Sequence, residues 1–271
     1  FSKAPSIGVS AGFVNYEGDL KPNSFTFSQS HPYLSFYVVK PLHNRVSLRA
    51  GAGVGALEAA DRNNRGYLVP RNLSFQTSLK EAYAGLELYF FNREKARFAP
   101  YVFAGAAVFH VNPWARDRDG SKVYLQPLGT EGQGLEAYPG RTPYALTQYA
   151  LCMAGGVKFE LSPSVTIGWE LSQRKTFTDY IDDVSSSYVD RQELLAARGP
   201  VAADMAFRGD EIDADSHYPA AGEQRGTPTE NDWYYFFGVT LEVRMSAVKS
   251  KIASIRRGKP GRRIQRCPSI F

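Results

Sequence analysis

Histidine is the side chain in this sequence best suited to proton transfer near neutral pH, and the chain has four of them. His31, His43, His110 and His217 show no metal-binding spacing such as HExxH. His110 lies near the end of a predicted strand, where a histidine and a loop serine could form an acyl-transfer pair. The competing interpretation is that histidines scattered over turns and loops are solvated.

A run of acids, Asp179, Asp182, Asp183 and Asp190, is the second group that could do chemistry. Calcium prefers carboxylate oxygens, but this spacing matches no known calcium loop. The sequence therefore favours a solvated acidic loop and leaves cation binding open.

Three glycines, Gly129, Gly132 and Gly134, lie in a loop that no predicted helix follows, so we expect turns with positive φ rather than a phosphate cradle. Asp190 precedes residues of helical composition and predicts a capped helix over 190–197. No cofactor is implied by any of these groups.

The elements that must position these residues are long amphipathic strands. Trp233 to Arg244 alternates an apolar face with a polar one, and it is longer than the roughly 5–6 residues of an average soluble strand. Tyr101 to His110 is also a predicted strand, but Ala and Gly occupy both of its faces. The other predicted strands are Ser6 to Asn15, Tyr33 to Lys40, Arg45 to Leu57, Glu81 to Phe91, Tyr149 to Leu161 and Val165 to Arg174.

Short and long connections alternate strictly between these eight strands. The short ones are 41–44, 92–98 and 162–164, and the long ones are 16–32, 58–80, 111–148 and 175–232. This alternation is typical of outer-membrane barrels, because their turns gather at one end and their loops at the other. We predict an all-β, eight-stranded, antiparallel, up-and-down transmembrane β-barrel with four long extracellular loops, and the alternative is a soluble sandwich or lipocalin-like barrel.

Composition agrees with a barrel and excludes a helical membrane protein. Mean hydropathy is -0.33, and no segment approaches the roughly 18 consecutive apolar residues of a membrane helix. The chain starts at Phe1 without an n-region and an apolar h-region, so we expect any export signal to have been removed already or never to have been present.

The inward faces of the predicted strands carry five acids and five bases. Buried charges need partners, so we expect ion pairs that fill the lumen of the barrel. A wide pore and a small-molecule substrate are not expected. The ten residues are Arg45, Arg49, Glu81, Glu87, Lys158, Glu160, Glu170, Arg174, Glu242 and Arg244.

Residues 1–245 form the predicted barrel, and residues 246–271 form a basic tail that contains no acid. Aromatic side chains that could stack on bases are absent from the tail before Phe271, so nucleic acid is not the expected partner. An acidic protein surface fits the tail better, with anionic lipid headgroups as the alternative. The predicted partner-binding residues are Lys249, Lys251, Arg256, Arg257, Lys259, Arg262, Arg263, Arg266 and Phe271.

The chain has two cysteines, and they are predicted to lie far apart. Cys152 is expected to face the lumen, whereas Cys267 is near the end of the tail. In an oxidising compartment a leftover thiol suggests a bond to another chain, so Cys267 is a candidate for an intermolecular disulfide.

Two loop runs, LQPLGTEGQGL at Leu125 to Leu135 and QRKTFTDYIDDVSSSYVD at Gln173 to Asp190, are the most distinctive in the chain. Together with Cys267 and Phe271, they resemble the PorG family of Bacteroidetes outer-membrane proteins, a component of the type IX secretion system. The resemblance implies a non-catalytic integral outer-membrane barrel. It also implies that the barrel fixes a periplasmic ring, built from a lipoprotein and its ring partner, to the outer membrane. Because the last predicted strand runs toward the short-turn side, we expect the tail in the periplasm, and our hypothesis is a disulfide from Cys267 to the ring lipoprotein.

Two other function classes stay open at the level of sequence. One is an outer-membrane enzyme that modifies lipid A, with His110 at the bilayer rim. The other is a barrel of adhesion or peptidoglycan-linking type, although a tail of 26 residues is short for a folded periplasmic domain.

Overall fold

Eight long strands dominate the computed structural model, which describes residues 4–22, 29–64, 66–92 and 97–246. These strands are β1 (Ser6–Glu17), β2 (His31–His43), β3 (Val46–Ala60), β4 (Ser74–Tyr89), β5 (Phe98–His110), β8 (Thr147–Ser162), β9 (Val165–Thr176) and β10 (Trp233–Arg244). The loops contain two short strands, β6 (Trp114–Arg116) and β7 (Lys122–Tyr124), and two helices, α1 (Arg191–Arg198) and α2 (Pro200–Ala206). They also contain single 3₁₀ turns at Asp61–Asn63, Val69–Arg71, Gln126–Leu128 and Gly209–Glu211.

The eight long strands close on themselves. Each pairs antiparallel with its neighbours along the chain, and β1 pairs with β10 from Ser6↔Arg244 to Glu17↔Trp233. The β6–β7 hairpin lies outside this ring and touches β4 through the single pair Gln76↔Trp114. Closure removes sheet edges, which lets a β structure cross lipid with its backbone groups satisfied. The predicted eight-stranded up-and-down barrel is confirmed.

The outer face of the barrel is apolar and exposed. Alternation placed the outward side chains correctly, with Phe36 66% and Val54 54% exposed. For β5 the structure supplies what the sequence could not, because Phe103 and Phe109 point inward while Val102 and Val108 point outward. Other exposed side chains of this belt are Ile7, Leu34, Val38, Leu48, Leu86, Leu88, Leu151, Met153, Ile167, Trp169, Leu171, Val239 and Leu241.

Turns and loops separate to opposite ends, as predicted. The connections 44–45, 90–97 and 163–164 are short, whereas 18–30, 61–73, 111–146 and 177–232 are long. The predicted helix cap is confirmed, since the Asp190 side chain accepts hydrogen bonds from the amides of Gln192 and Glu193. Gly129, Gly132 and Gly134 have φ values of 58°, 80° and 76°, so they are left-handed turn positions as expected.

None of the helices in the described residues is long and apolar enough to cross a membrane.

Candidate functional site

The lumen of the barrel is filled by charged side chains, and Arg49 lies at its centre. Its Nη1 is 2.5 Å from Glu170 Oε2 and 3.3 Å from Glu87 Oε1. The guanidinium also lies 4.0 Å from the centroid of the Phe103 ring, a cation–π contact. Because Arg49 is 1% exposed, this charge depends on its partners for stabilisation.

Lys158 extends the network on the turn side. Its Nζ lies 2.8 Å from Glu87 Oε1 and 2.6 Å from Glu242 Oε1. The Tyr101 hydroxyl donates to Glu170 at 2.5 Å. The Glu170 carboxylate therefore also has an uncharged hydrogen-bond donor.

A second pair lies nearer the loops, where Arg174 Nη2 is 3.1 Å from Glu81 Oε1. Tyr33 and Tyr234 both donate to the Glu81 carboxylate, the latter at 2.9 Å. The predicted ion-pair network is therefore confirmed, and it fills the lumen with side chains rather than with a loop. Two details differ from the prediction.

Arg45 does not point inward, because β3 begins at Val46 and leaves Arg45 exposed in the preceding turn. Glu160 and Arg244 pair at 3.0 Å but are about 30% exposed, so they lie at the turn end of the lumen rather than inside it.

Above the barrel, the long loops pack into a cap whose centre is Glu131, which is 0% exposed. Its carboxylate accepts hydrogen bonds from the amides of Ser185 at 2.9 Å and Ser186 at 3.1 Å, and it pairs with Arg225 Nη1 at 3.0 Å. The Asp183 carboxylate accepts a hydrogen bond from the Thr130 hydroxyl at 2.6 Å. The two distinctive runs of the sequence, 125–135 and 173–190, are thus brought together as one buried hydrogen-bonded core.

Beside this core, the Tyr16 hydroxyl lies between two carboxylates, 2.6 Å from Asp182 Oδ2 and 2.7 Å from Asp232 Oδ1. A hydroxyl has one proton to donate. Both contacts can be hydrogen bonds only if one carboxyl is protonated and donates to the Tyr16 oxygen. Burial, together with the charge of Asp19, raises the pKa of Asp182 to about 8, and burial raises that of Asp179 to about 9.

The interpretation of the acidic run as a solvated loop is wrong. Asp179, Asp182 and Asp183 are 7%, 2% and 1% exposed, because the loops fold over them, and only Asp190 is at the surface as a helix cap. Burial raises the pKa of Asp183 to about 6. Within the described ranges, no group of three or more His, Cys, Asp or Glu side chains is arranged to hold a metal ion.

A cavity of about 750 Å³ opens beside the cap. Its walls mix aromatic and charged groups, among them Tyr67, Tyr188, Lys175, His217 and Trp233. Two of the charged residues that line the cavity already form ion pairs, since Arg71 binds Asp61 at 2.7 Å and Arg225 binds Glu131.

The histidines are dispersed. His110 Nδ1 lies 3.0 Å from Thr147 Oγ1, and His31 Nε2 lies 3.0 Å from Glu58 Oε2. In the described part of the chain no serine hydroxyl is hydrogen-bonded to His110, so the structure does not assemble the histidine–serine pair considered above.

The predicted partner-binding residues Lys249, Lys251, Arg256, Arg257, Lys259, Arg262, Arg263, Arg266 and Phe271, and the disulfide candidate Cys267, lie outside the described residues. Cys152 is buried in the lumen as expected. Sequence reasoning missed Tyr16, Glu131, Arg225 and Asp232 as members of the cap. Arg225 and Glu131 are 94 residues apart in the chain, and Tyr16 and Asp232 are 216 apart, so no local pattern indicates these contacts.

Several solved barrels are similar to this chain in outline. Neisserial surface protein A matches with a TM-score of 0.43 and 10% identity over 89% of this chain and 96% of that one. Ail, the attachment invasion locus protein of Yersinia pestis, in complex with the heparin analogue sucrose octasulfate, matches with a TM-score of 0.42 and 7% identity over 89% and 99%. The outer membrane protein OprG from Pseudomonas aeruginosa gives 0.43 and 9% over 89% and 97%.

No protein-family model matches the chain, and no curated protein sequence matches it. At these identities and TM-scores, the similar structures identify neither a family nor a function.

Proposed function

We propose that the protein is a non-catalytic, integral outer-membrane barrel that fixes a periplasmic ring of the type IX secretion system, built from a lipoprotein and its ring partner, to the membrane. The observation that carries the proposal is a closed barrel that is apolar outside and filled with ion pairs inside. Such a body is held firmly by lipid and offers no wide route for solutes, which suits an anchor better than a porin.

The membrane location is supported by the outer surface. Exposed Leu, Val, Ile and Trp side chains surround the barrel, and exposed aromatics lie at both edges of this belt, with Tyr149 67% exposed at the loop end and Phe90 59% exposed at the turn end. An apolar band between aromatic girdles is the surface of an outer-membrane barrel.

The end of the last strand supports a periplasmic position for the tail. At the end of β10 the Arg244 amide donates to the Ser164 carbonyl at 2.9 Å, and the Met245 amide donates to Pro5 at 2.9 Å. The chain therefore continues from the short-turn end, which is the periplasmic end in barrels of this kind. The sequence that follows residue 246 contains eight basic residues, which we expect to be complementary to an acidic partner at that end.

The resemblance to the PorG family supplies the identity of the ring. The two loop runs that carry it, 125–135 and 173–190, build the loop cap rather than the periplasmic end. We therefore assign ring binding to the turns and the tail, and cap stability to these runs.

Affinity purification from membranes tests the anchor. We compare the full chain, a chain that ends at residue 245, and a full-length chain whose eight basic tail residues are replaced by Gln. We expect the ring lipoprotein to co-purify with the first and to be lost from the other two, while heat-modifiable mobility shows that all three barrels are folded. Equal recovery of the lipoprotein with all three would contradict the proposal.

Non-reducing electrophoresis of whole membranes tests the thiol. We expect a high-mass band for the full chain that disappears under reduction and in Cys267→Ser, and that persists in Cys152→Ser because Cys152 is buried in the lumen. The absence of that band from the full chain would rule out the disulfide but not the anchor.

A further inference from the structure

Just above the apolar belt, at the loop end, the outer wall carries basic side chains on neighbouring strands. Lys80 on β4 is the register partner of His110 on β5, and His110 is the register partner of Thr147 on β8. All three side chains are exposed, and His110 hydrogen-bonds the Thr147 hydroxyl at 3.0 Å. Register partners on one face lie roughly 5 Å apart, so these three polar groups form one compact cluster.

Lys175 on β9 adds another cation to the same wall. Its Nζ lies 5.2 Å from the centroid of the Trp233 ring. Two strands and four register positions separate it from His110, which corresponds to roughly 16 Å along the wall. Neither lysine nor His110 forms an ion pair within the described residues, and the outward carboxylate of Glu58 is engaged by His31 at 3.0 Å.

The height of the cluster is set by its neighbours. On β4 the outward residues below Lys80 are Ala82, Ala84, Leu86 and Leu88, so Lys80 is the first charged side chain above the belt. Tyr149 lies at the same edge and is 67% exposed. Aromatic side chains mark the headgroup level of a bilayer, and lysines at that level reach toward headgroup phosphates.

The wall directly below the cluster is shallow. Ala82 and Ala84 on β4 and Ala104 and Ala106 on β5 are outward and exposed, and Ala84 is the register partner of Ala106. A free anion such as inorganic phosphate would need only the basic side chains for binding. The small side chains below them also leave space against the barrel for an acyl chain.

We propose that Lys80, His110 and Thr147 bind a phosphate of a phosphorylated outer-leaflet glycolipid whose acyl chains lie on the alanine wall, and that Lys175, roughly 16 Å away, contacts another part of the same anionic headgroup. The proposal rests on the membrane location proposed above but not on ring anchoring. It gives His110 a binding role rather than a catalytic one.

Native mass spectrometry of the detergent-purified full chain tests the site. The probes are bisphosphorylated lipid A, its dephosphorylated form and inorganic phosphate. We expect the bisphosphorylated lipid to give adducts that fall at least about fivefold in the Lys80→Ala/His110→Ala double variant, and about twofold in Lys175→Ala, as exposed charge contacts allow. Ala106→Leu, which fills the shallow wall, is expected to weaken adducts while its cations remain.

Lys40→Ala is the matched control, because Lys40 is an exposed, outward lysine at the opposite edge of the belt. Heat-modifiable mobility confirms that each variant is folded. Equal adducts for the full chain and the double variant, or equal adducts with the dephosphorylated lipid, would overturn the proposal. Displacement of the lipid by millimolar inorganic phosphate at the same residues would overturn the lipid assignment as well. If the ring fails to co-purify while lipid binding is intact, only the proposed anchor is contradicted.

Discussion

Glu131 shows how much of the loop cap depends on one side chain. It bonds the backbone of 185–186 and compensates the charge of Arg225, which is 3% exposed. Removing one partner of a buried ion pair costs about 3–5 kcal/mol, because the other charge stays buried and unpaired.

Glu131→Gln should therefore loosen the cap without opening the barrel. We expect limited proteolysis in 111–146 and 177–232 to become about 100-fold faster, as a loss of about 3 kcal/mol implies. Glu136→Gln, an exposed acid in the same loop, is the control and should be cleaved at the rate of the unchanged chain. Equal rates for both variants would show that Glu131 does not hold the cap.

The buried carboxyls of Asp182 and Asp179 make the cap sensitive to pH. Asp182 and Asp179 have folded-state pKa values of about 8 and 9, above the ordinary 3.8. The contribution of protonated Asp182 and Asp179 to the stability of the cap is thus complete below about pH 4. It is lost progressively as the pH rises through their folded-state pKa values.

We expect protection of the Leu20, Ile181 and Val184 amides, which bond to Asp182 and Asp232, to fall between pH 6 and pH 9. Hydrogen exchange corrected for intrinsic rates measures this, with amides of the barrel strands as the internal reference. Asp182→Asn cannot ionise, so its cap should show a flatter pH dependence. A steeper one would contradict the assignment.

At the scale of elements, the seam between β1 and β10 closes the barrel through two facing glycines. Gly12 and Gly238 are register partners, and a methyl group on Gly12 would overlap the Phe237 carbonyl and the Gly238 Cα. The stacked rings of Phe13 and Phe237, 5.6 Å apart, cover the seam from outside.

Gly238→Val should lower the yield of folded barrel, because an added Cβ at Gly238 would overlap the Ala11 carbonyl and the Gly12 Cα, which are backbone atoms that cannot move aside. The folded fraction, measured by heat-modifiable mobility after refolding into detergent, is expected to fall several-fold. Gly155→Val is the control, since an added Cβ there meets nothing within 4 Å. Equal refolding of both variants would mean that the seam tolerates the side chain.

The strands were predictable because their information is local. Alternation in β3 and β4 places Leu48 outward and Glu87 inward without reference to any other element. It failed for β5, where Ala104, Gly105, Ala106 and Ala107 give no contrast between faces. The cap was not predictable, because Arg225 meets Glu131 across 94 residues, and burial reverses the expectation for Asp182.

For the whole molecule, we expect the ion pairs of the lumen to affect both the stability and the permeability of the barrel. Arg49→Ala leaves Glu170 and Glu87 short of a partner and should destabilise the barrel by about 3–5 kcal/mol in a urea titration. Arg45→Ala, at an exposed arginine in the turn before β3, should unfold like the unchanged protein. Equal midpoints for the two variants would show that the ion pairs do not contribute net stability.

The filled lumen also has a consequence for the cell that carries this protein. Because ion-paired side chains occupy the interior, we expect extra copies of this barrel to leave the permeability of a membrane to antibiotics, bile salts and nutrients unchanged. We therefore expect leakage through the barrel to set no limit on the number of copies in the membrane.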